Sequence, residues 1–476
     1  MADSAEILLI INPSLWFKPM YPSGIMYLAS YLRLKGISVE IIDGAIAKKI
    51  IPVSEREELL INTIMRKKPR LVGFSASHLE YDEVSRINRK IQEKDGSIIS
   101  IVGGSQPTYR PEDFIQSGFR FICIGEGEVT LYNFVLESRK EQSQWSSIKG
   151  LIWKTPDGTI VKNPPCELMG EGELNNNFLP AYDMVDKRYF DFNAGIIRGL
   201  LMRGAMILTT RGCPFKCSFC GCNLIFGKKL RKKSIEKIEQ EIDFLKNNFG
   251  VEGIWIIDDT FTVNREHVAA VSRILKKYGL VWGCQSRVNT IDEDMIRIMK
   301  ENGCIQIDFG VESGSQRILD EIIQKGITIE QVKNAFQLAH KYAIRTLANF
   351  MIALPTETLE EFEQTRMLAD QIKADVYIFS IATPLPGTRL YELVGVPITP
   401  DEYNSLNWVG SPLTKRLNKS AIEDPVKERV GLQKKYYFRS LVKSFLSIEN
   451  IRFFLSKGSK IQRTMSLFKY VKRIFK

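Results

Sequence analysis

The chain has 476 residues, of which 44% are hydrophobic and 25% charged, with a formal net charge of +11. That length suggests two or three domains at roughly 150 residues each, and the composition excludes a wholly disordered chain, a collagen-like fibre and a disulfide scaffold. Residues 431–476 carry 12 of the 66 basic and one of the 55 acidic groups, leaving 54 of each sign in the body, so only the tail suits an anionic partner. No apolar run reaches about 18 residues, the length of a membrane span. The first residues, Met1-Ala2-Asp3-Ser4-Ala5-Glu6, lack the basic and apolar regions of a secretion signal, so a cytoplasmic protein is expected.

Residues 1–141 alternate between two periodicities. Strand-like runs at 6–11, 37–42, 71–75, 97–102 and 120–124 are separated by helical patterns at 24–34, 55–67 and 81–93. Such apolar strands between helices predict an α/β domain with a doubly wound, flavodoxin-like parallel sheet covered on both faces. Ligands of such sheets sit beyond the carboxyl ends of the strands. The residues there are Asn12-Pro13, Asp43-Gly44, Ser75-Ala76-Ser77, Gly103-Gly104-Ser105 and Gly125-Glu126-Gly127-Glu128. Their small size allows close approach of a bulky ligand, and equally allows tight strand-to-helix turns and nothing more.

Residues 142–196 read as a connecting segment containing one small hairpin, with Asp157-Gly158 at its turn. A second series over 197–400 has strand signals at 205–210, 253–257, 280–285, 304–309, 346–353 and 375–381. Thr290 with Glu293, Thr328 with Gln331 and Thr358 with Glu361 have the spacing of helix capping boxes. Six strands with intervening helices predict a partial (β/α)6 barrel with its active site at the carboxyl-end rim. Arg231-Lys232-Lys233 reads as a solvated face. Residues 401–476 form a helical C-terminal region, in which Met465, Phe468, Val471, Ile474 and Phe475 share one side of a basic amphipathic helix. That tail suits an anionic membrane surface or a cap on the barrel, and suits nucleic acid less.

Eight cysteines are too few for a disulfide framework in so long a chain. Cys123, Cys166, Cys284 and Cys304 stand apart, whereas Cys213, Cys217, Cys220 and Cys222 fall within ten residues. The run Arg211-Gly212-Cys213-Pro214-Phe215-Lys216-Cys217-Ser218-Phe219-Cys220 has C-x3-C-x2-C spacing on a loop just after a strand. Three thiolates in one loop can hold three irons of a 4Fe-4S cluster and leave the fourth open to a substrate. A structural zinc would want four ligands in paired knuckles, and only one pair is present. Cys222 reads as a bystander.

Cys213, Cys217 and Cys220, with Phe219 before the last, resemble the signature of radical S-adenosylmethionine enzymes, over roughly residues 197–393. The resemblance implies that S-adenosylmethionine chelates the open iron and is split by one electron into a 5′-deoxyadenosyl radical. It also implies that Phe219 lies near the adenine, with Glu312 and Arg287 as polar cosubstrate contacts. Leu354-Pro355-Thr356-Glu357 stands where many relatives have a Gly-rich turn. The N-terminal half is similar to the cobalamin-binding domain of cobalamin-dependent members, through residues 22–29, 72–75, 103–108 and 125–128. This implies cobalamin contacts at Ser75, Gly103, Gly104, Gly125 and Glu126. The D-x-H-x-x-G motif of histidine-ligated cobalamin is absent, and His78, the domain's one histidine, is expected to be exposed or hydrogen-bonded.

The expected function is radical functionalisation of an unactivated carbon, foremost methyl transfer to a small-molecule or lipid-like substrate. The expected cofactors are a 4Fe-4S cluster, S-adenosylmethionine and cobalamin, with reduced ferredoxin or flavodoxin as the electron donor. Ring closure or rearrangement, methylthio transfer, and a non-catalytic iron–sulfur or corrin carrier stay open as alternatives. Methylthio transfer fits less well, because members with that activity carry further N-terminal cysteines.

Overall fold

The computed structural model describes residues 5–13, 21–45, 52–176, 179–191, 197 and 202–445. These residues divide into two compact units. The first comprises 1–186 with the segments Cys220–Lys229 and Leu385–Leu406; the second comprises Lys187–Phe219, Leu230–Pro384 and the chain from Asn407.

The first unit is built on seven strands: β1 (Ile7–Ile11), β2 (Val39–Asp43), β3 (Leu71–Ser75), β4 (Ile99–Gly103), β5 (Phe121–Cys123), β6 (Leu151–Lys154) and β7 (Ile160–Lys162). Their order is β2-β1-β3-β4-β5-β6-β7, and the first five are parallel. This is the flavodoxin-like order, with its switch point between β1 and β3. All five residues of β1 are buried, which is why the run Ile-Leu-Leu-Ile-Ile shows no alternation of polar and apolar positions. The hairpin at Asp157-Gly158 does more than connect. Its strands β6 and β7 extend the sheet antiparallel from β5, and Leu151 and Ile152 are buried against it.

The second unit holds β8 (Gly204–Ile207), β9 (Thr210–Arg211), β10 (Arg231–Lys232), β11 (Gly253–Ile256), β12 (Val281–Ser286), β13 (Cys304–Glu312), β14 (Arg345–Ile352) and β15 (Val376–Ile381). Six of these form one parallel sheet in the order β15-β14-β13-β12-β11-β8, an open (β/α)6 barrel. β9 and β10 pair antiparallel to each other. This corrects two expectations. The first strand of the series breaks after Ile207, and Arg231-Lys232-Lys233 is no solvated face: Arg231 is buried in β10, and Lys233 Nζ donates to the buried Glu241 at 2.7 Å.

Thr328 with Gln331 and Thr358 with Glu361 form the expected capping boxes. Thr290 does not cap. Asp292 takes that place, accepting from Met295 N at 2.9 Å, while the Thr290 hydroxyl donates to the Arg287 carbonyl. Aspartate is as good a cap as threonine, and it stands immediately before the helix Glu293–Glu301.

The helix Pro425–Phe445 covers the outer side of β15, with Tyr436 stacked on Tyr377 at 4.2 Å between ring centroids. The amphipathic stretch from Met465 to Phe475 lies outside the described residues. No described helix is long and apolar enough to cross a membrane.

Candidate active site

The cysteine loop leaves β9 at Arg211 and runs to the short helix Cys222–Phe226. Cys213 and Cys217 are half-buried, and Cys220 is exposed at the start of the segment that groups with the first unit. Cys213 Sγ lies 3.7 Å from Thr260 Oγ1. The Ser218 amide donates to the Ile323 carbonyl at 2.8 Å, tying the middle of the loop to the barrel. Among the described residues no three His, Cys, Asp or Glu side chains converge as ligands of one ion would. A cluster is bound differently, each cysteine taking a separate iron.

Arg287, just past β12, is buried and donates from Nη1 to Cys217 Sγ at 3.1 Å. Its guanidinium carbon sits 3.7 Å from the centroid of Phe215. Glu312 ends β13 in a left-handed conformation, φ 69°, and accepts from Lys325 Nζ at 2.7 Å. Both side chains of this pair are under a tenth exposed. A Cβ on Gly310 would fall 2.4 Å from Glu312 Oε1 and 2.7 Å from Lys325 Nζ, so a side chain there would displace the pair. Lys325 Nζ is also 5.7 Å from the Phe219 ring centroid. The structure therefore brings Phe219, Glu312 and Arg287 around one turn, residues 324–326, by way of Lys325 Nζ and the Lys325 carbonyl, which accepts from Arg287 Nη2.

Sequence reasoning missed Lys325 and Phe215. The signal for Lys325 was weak. It lies between Gln324 and Gly326, both at positive φ, in a turn that sequence alone does not mark as functional. Also missed was the support behind the loop. Asp258 is fully buried and accepts from Thr209 N at 2.6 Å and from Thr210 Oγ1 at 2.8 Å. The Thr209 hydroxyl also donates to it, leaving its oxygen to accept from His267 Nε2 at 2.9 Å. Burial pushes the Asp258 carboxyl up to about 6, against the lowering effect of these donors. The network fixes the chain two residues before Arg211 and the cysteine loop.

In the first unit the predicted corrin-contacting residues cluster at the carboxyl ends of β3, β4 and β5. Gly104 has φ 109°, and a Cβ there would lie 2.7 Å from the Ala76 carbonyl and 3.1 Å from Ser75 Oγ. Gly103 passes Cys123 closely, and Gly125, φ 73°, donates its amide to Thr108 Oγ1 at 3.0 Å. Glu126 is turned elsewhere: its Oε2 accepts from Met169 N at 2.9 Å. His78 Nε2 donates to the Leu406 carbonyl at 2.9 Å, and burial holds the imidazole below its ordinary pKa.

Both sites fit the groups that the motifs imply. A buried guanidinium on a motif thiol suits an anionic cluster, and a buried pair of opposite charges beside Phe219 suits a zwitterionic amino acid end. A Cβ on Gly125 would meet nothing nearer than 4.0 Å, and Asn12, which donates to the Ser75 carbonyl, keeps a buried Oδ1 unpartnered among the described residues, so open space and a polar atom to satisfy lie at these strand ends.

Comparison with known proteins finds two family patterns in the chain. The radical SAM superfamily pattern matches residues 207–369, and that of the B12 binding domain matches residues 18–135. An uncharacterized methyltransferase of Pyrococcus horikoshii is 36% identical over 384 residues, 78% of each chain. The cytidylyl-2-hydroxyethylphosphonate methyltransferase of Streptomyces wedmorensis is 25% identical over 430 residues, 80% of each chain. Among solved structures, the radical S-adenosylmethionine methyltransferase TsrM from Kitasatospora setae, with cobalamin and a 4Fe-4S cluster, superposes with a TM-score of 0.66 at 19% identity. That match covers 83% of this chain and 76% of TsrM, and shows the fold. The chain belongs to the radical SAM superfamily, as an enzyme with an N-terminal cobalamin-binding domain whose cofactors are a 4Fe-4S cluster, S-adenosylmethionine and cobalamin.

Proposed function

We propose that the chain methylates an unactivated carbon of a small-molecule or lipid-like substrate. Cys213, Cys217 and Cys220 would hold the cluster, and the cradle of Ser75, Gly103, Gly104 and Gly125 would seat cobalamin. When bound, these groups supply one-electron cleavage of the sulfonium and a cobalt-borne methyl group. The carrying observation is the Glu312–Lys325 pair with Lys325 Nζ beside Phe219. Glu312 would accept from the α-ammonium of S-adenosylmethionine, Lys325 would donate to its carboxylate, and Phe219 would flank the adenine. Burial of the Glu312–Lys325 pair excludes water and would strengthen each charged contact.

The two methyltransferases described above support methyl transfer, and the nucleotide-linked phosphonate in one of their names supports a small-molecule substrate. Reduced ferredoxin or flavodoxin is the proposed electron donor, and the basic tail is the proposed contact to an anionic membrane surface. The test is anaerobic reconstitution of the full chain, then incubation with S-adenosylmethionine and dithionite. The reading predicts 5′-deoxyadenosine, a corrin retained through gel filtration and seen by its visible absorption, and loss of both iron and product in Cys217→Ala. A wild-type chain that keeps no corrin and forms no 5′-deoxyadenosine contradicts it.

A further inference from the structure

Arg287 is 5% exposed, and each of its three guanidinium nitrogens makes a contact. Nε donates to Asn289 Oδ1 at 3.3 Å, Nη2 to the Lys325 carbonyl, and Nη1 to Cys217 Sγ at 3.1 Å, while the Phe215 ring covers one face. Among the described residues these are its partners, and none is a carboxylate. The neighbouring ammonium of Lys325 is already matched by Glu312. A buried cation without a counter-charge is costly, and a cluster held through Cys217 would set its negative charge against this guanidinium.

We propose that Arg287 sets the reduction potential of the cluster bound through Cys217. The inference rests on the reading of the cysteine loop as the cluster site. An N–H donor on a ligating sulfur, with a fixed positive charge behind it, stabilises the reduced cluster more than the oxidised one, because the reduced form carries one more negative charge. The midpoint potential therefore rises, and a one-electron donor reduces the cluster more readily. Arginine suits this work because its planar fork meets Cys217, Lys325 and Asn289 at once while one face stacks on Phe215. A residue that only contacted the cosubstrate would have no need of a donor aimed at the thiol.

The experiment uses the full-length chain, reconstituted without oxygen, as wild type, Arg287→Gln and Arg287→Lys. Iron and sulfide content are measured first. The cluster is then titrated with dithionite and mediators, its reduced form followed by electron paramagnetic resonance, and S-adenosylmethionine affinity is measured by equilibrium dialysis. Arg287→Gln is expected to keep its iron and to show a more negative midpoint. At the wild-type midpoint its reduced-to-oxidised ratio falls about tenfold, equivalent to 59 mV for a one-electron couple. Arg287→Lys falls between the two, and cosubstrate affinity changes less than about threefold in both variants.

An unchanged or raised midpoint with iron retained overturns the proposal. So does a tenfold loss of cosubstrate affinity at an unchanged midpoint, which makes Arg287 a cosubstrate contact. Loss of iron from both variants also overturns it, as a scaffold role. Failure of the underlying reading shows separately, as a wild-type protein with no reducible four-iron cluster.

Discussion

Removing one member of the Glu312–Lys325 pair leaves the other buried without its counter-charge. The charged atoms are 2.7 Å apart and the side chains are 6% and 8% exposed, so water cannot take the missing partner's place. Breaking such a pair from one side costs about 3–5 kcal/mol, whereas replacing both charges with neutral groups of similar volume is often neutral. Glu312→Gln and Lys325→Met should therefore each lower the unfolding temperature, and the double variant should recover most of the loss. Cosubstrate affinity should behave differently. Each lost charge removes a charged hydrogen bond worth about 1.5–3 kcal/mol, a weakening of about 10- to 150-fold, and the double variant should not recover it. Thermal unfolding and equilibrium dialysis with labelled S-adenosylmethionine, on the same oxygen-free samples, read both quantities. A double variant that regains stability and affinity together refutes the assignment and leaves an ordinary structural ion pair.

Two other perturbations follow from the same geometry. A Cβ on Gly221 would lie 2.0 Å from Tyr109 Oη and 2.4 Å from its ring, so Gly221→Ala should cost about 1–3 kcal/mol by overpacking and reduce iron content through the adjoining Cys220. Tyr109→Ala in the same chain should restore both, and iron content unmoved by Gly221→Ala would contradict the reasoning. Burial pushes the Glu357 carboxyl up to about 8 from an ordinary 4.5, with Oε1 buried and unpartnered among the described residues. Between those values the folded chain holds a proton that the unfolded chain has released, so stability falls as pH rises from about 4.5 to 8. Glu357→Gln should be more stable than wild type at pH 8, on the order of a few kcal/mol, and about equal near pH 5; urea unfolding at the two pH values checks this, and an unchanged difference between them argues against it.

The two sheets were legible because buried parallel strands announce themselves as unbroken apolar runs, as in Ile7–Ile11. The cysteine loop was legible because its ligands are adjacent in sequence. What escaped was whatever depends on residues far apart along the chain. Lys325 reaches Glu312 only because the turn at Gln324 and Gly326 folds it back, and Asp258 reaches Thr209 and Thr210 only because β11 lies beside β8. Arg231 looked solvated because its antiparallel partner, Arg211, is twenty residues earlier. The turn after β14 was half legible. Ala353 and Thr356 occupy left-handed conformations, φ 59° and 63°, the conformation glycine adopts most easily, at the turn where the resemblance implies glycines. Arg317 holds the unusual backbone in place by donating to Thr356 Oγ1 at 3.2 Å and to the Thr356 carbonyl at 3.0 Å.

The central claim is a cluster held by Cys213, Cys217 and Cys220 with one iron left for the cosubstrate. Its most direct measurement is the low-temperature paramagnetic resonance spectrum of the reduced, oxygen-free protein before and after addition of S-adenosylmethionine. The account predicts a four-iron signal that shifts on addition, and that disappears when any of these three cysteines, but not Cys222, is replaced by alanine. A signal indifferent to S-adenosylmethionine, or one that survives the loss of Cys217, would contradict it.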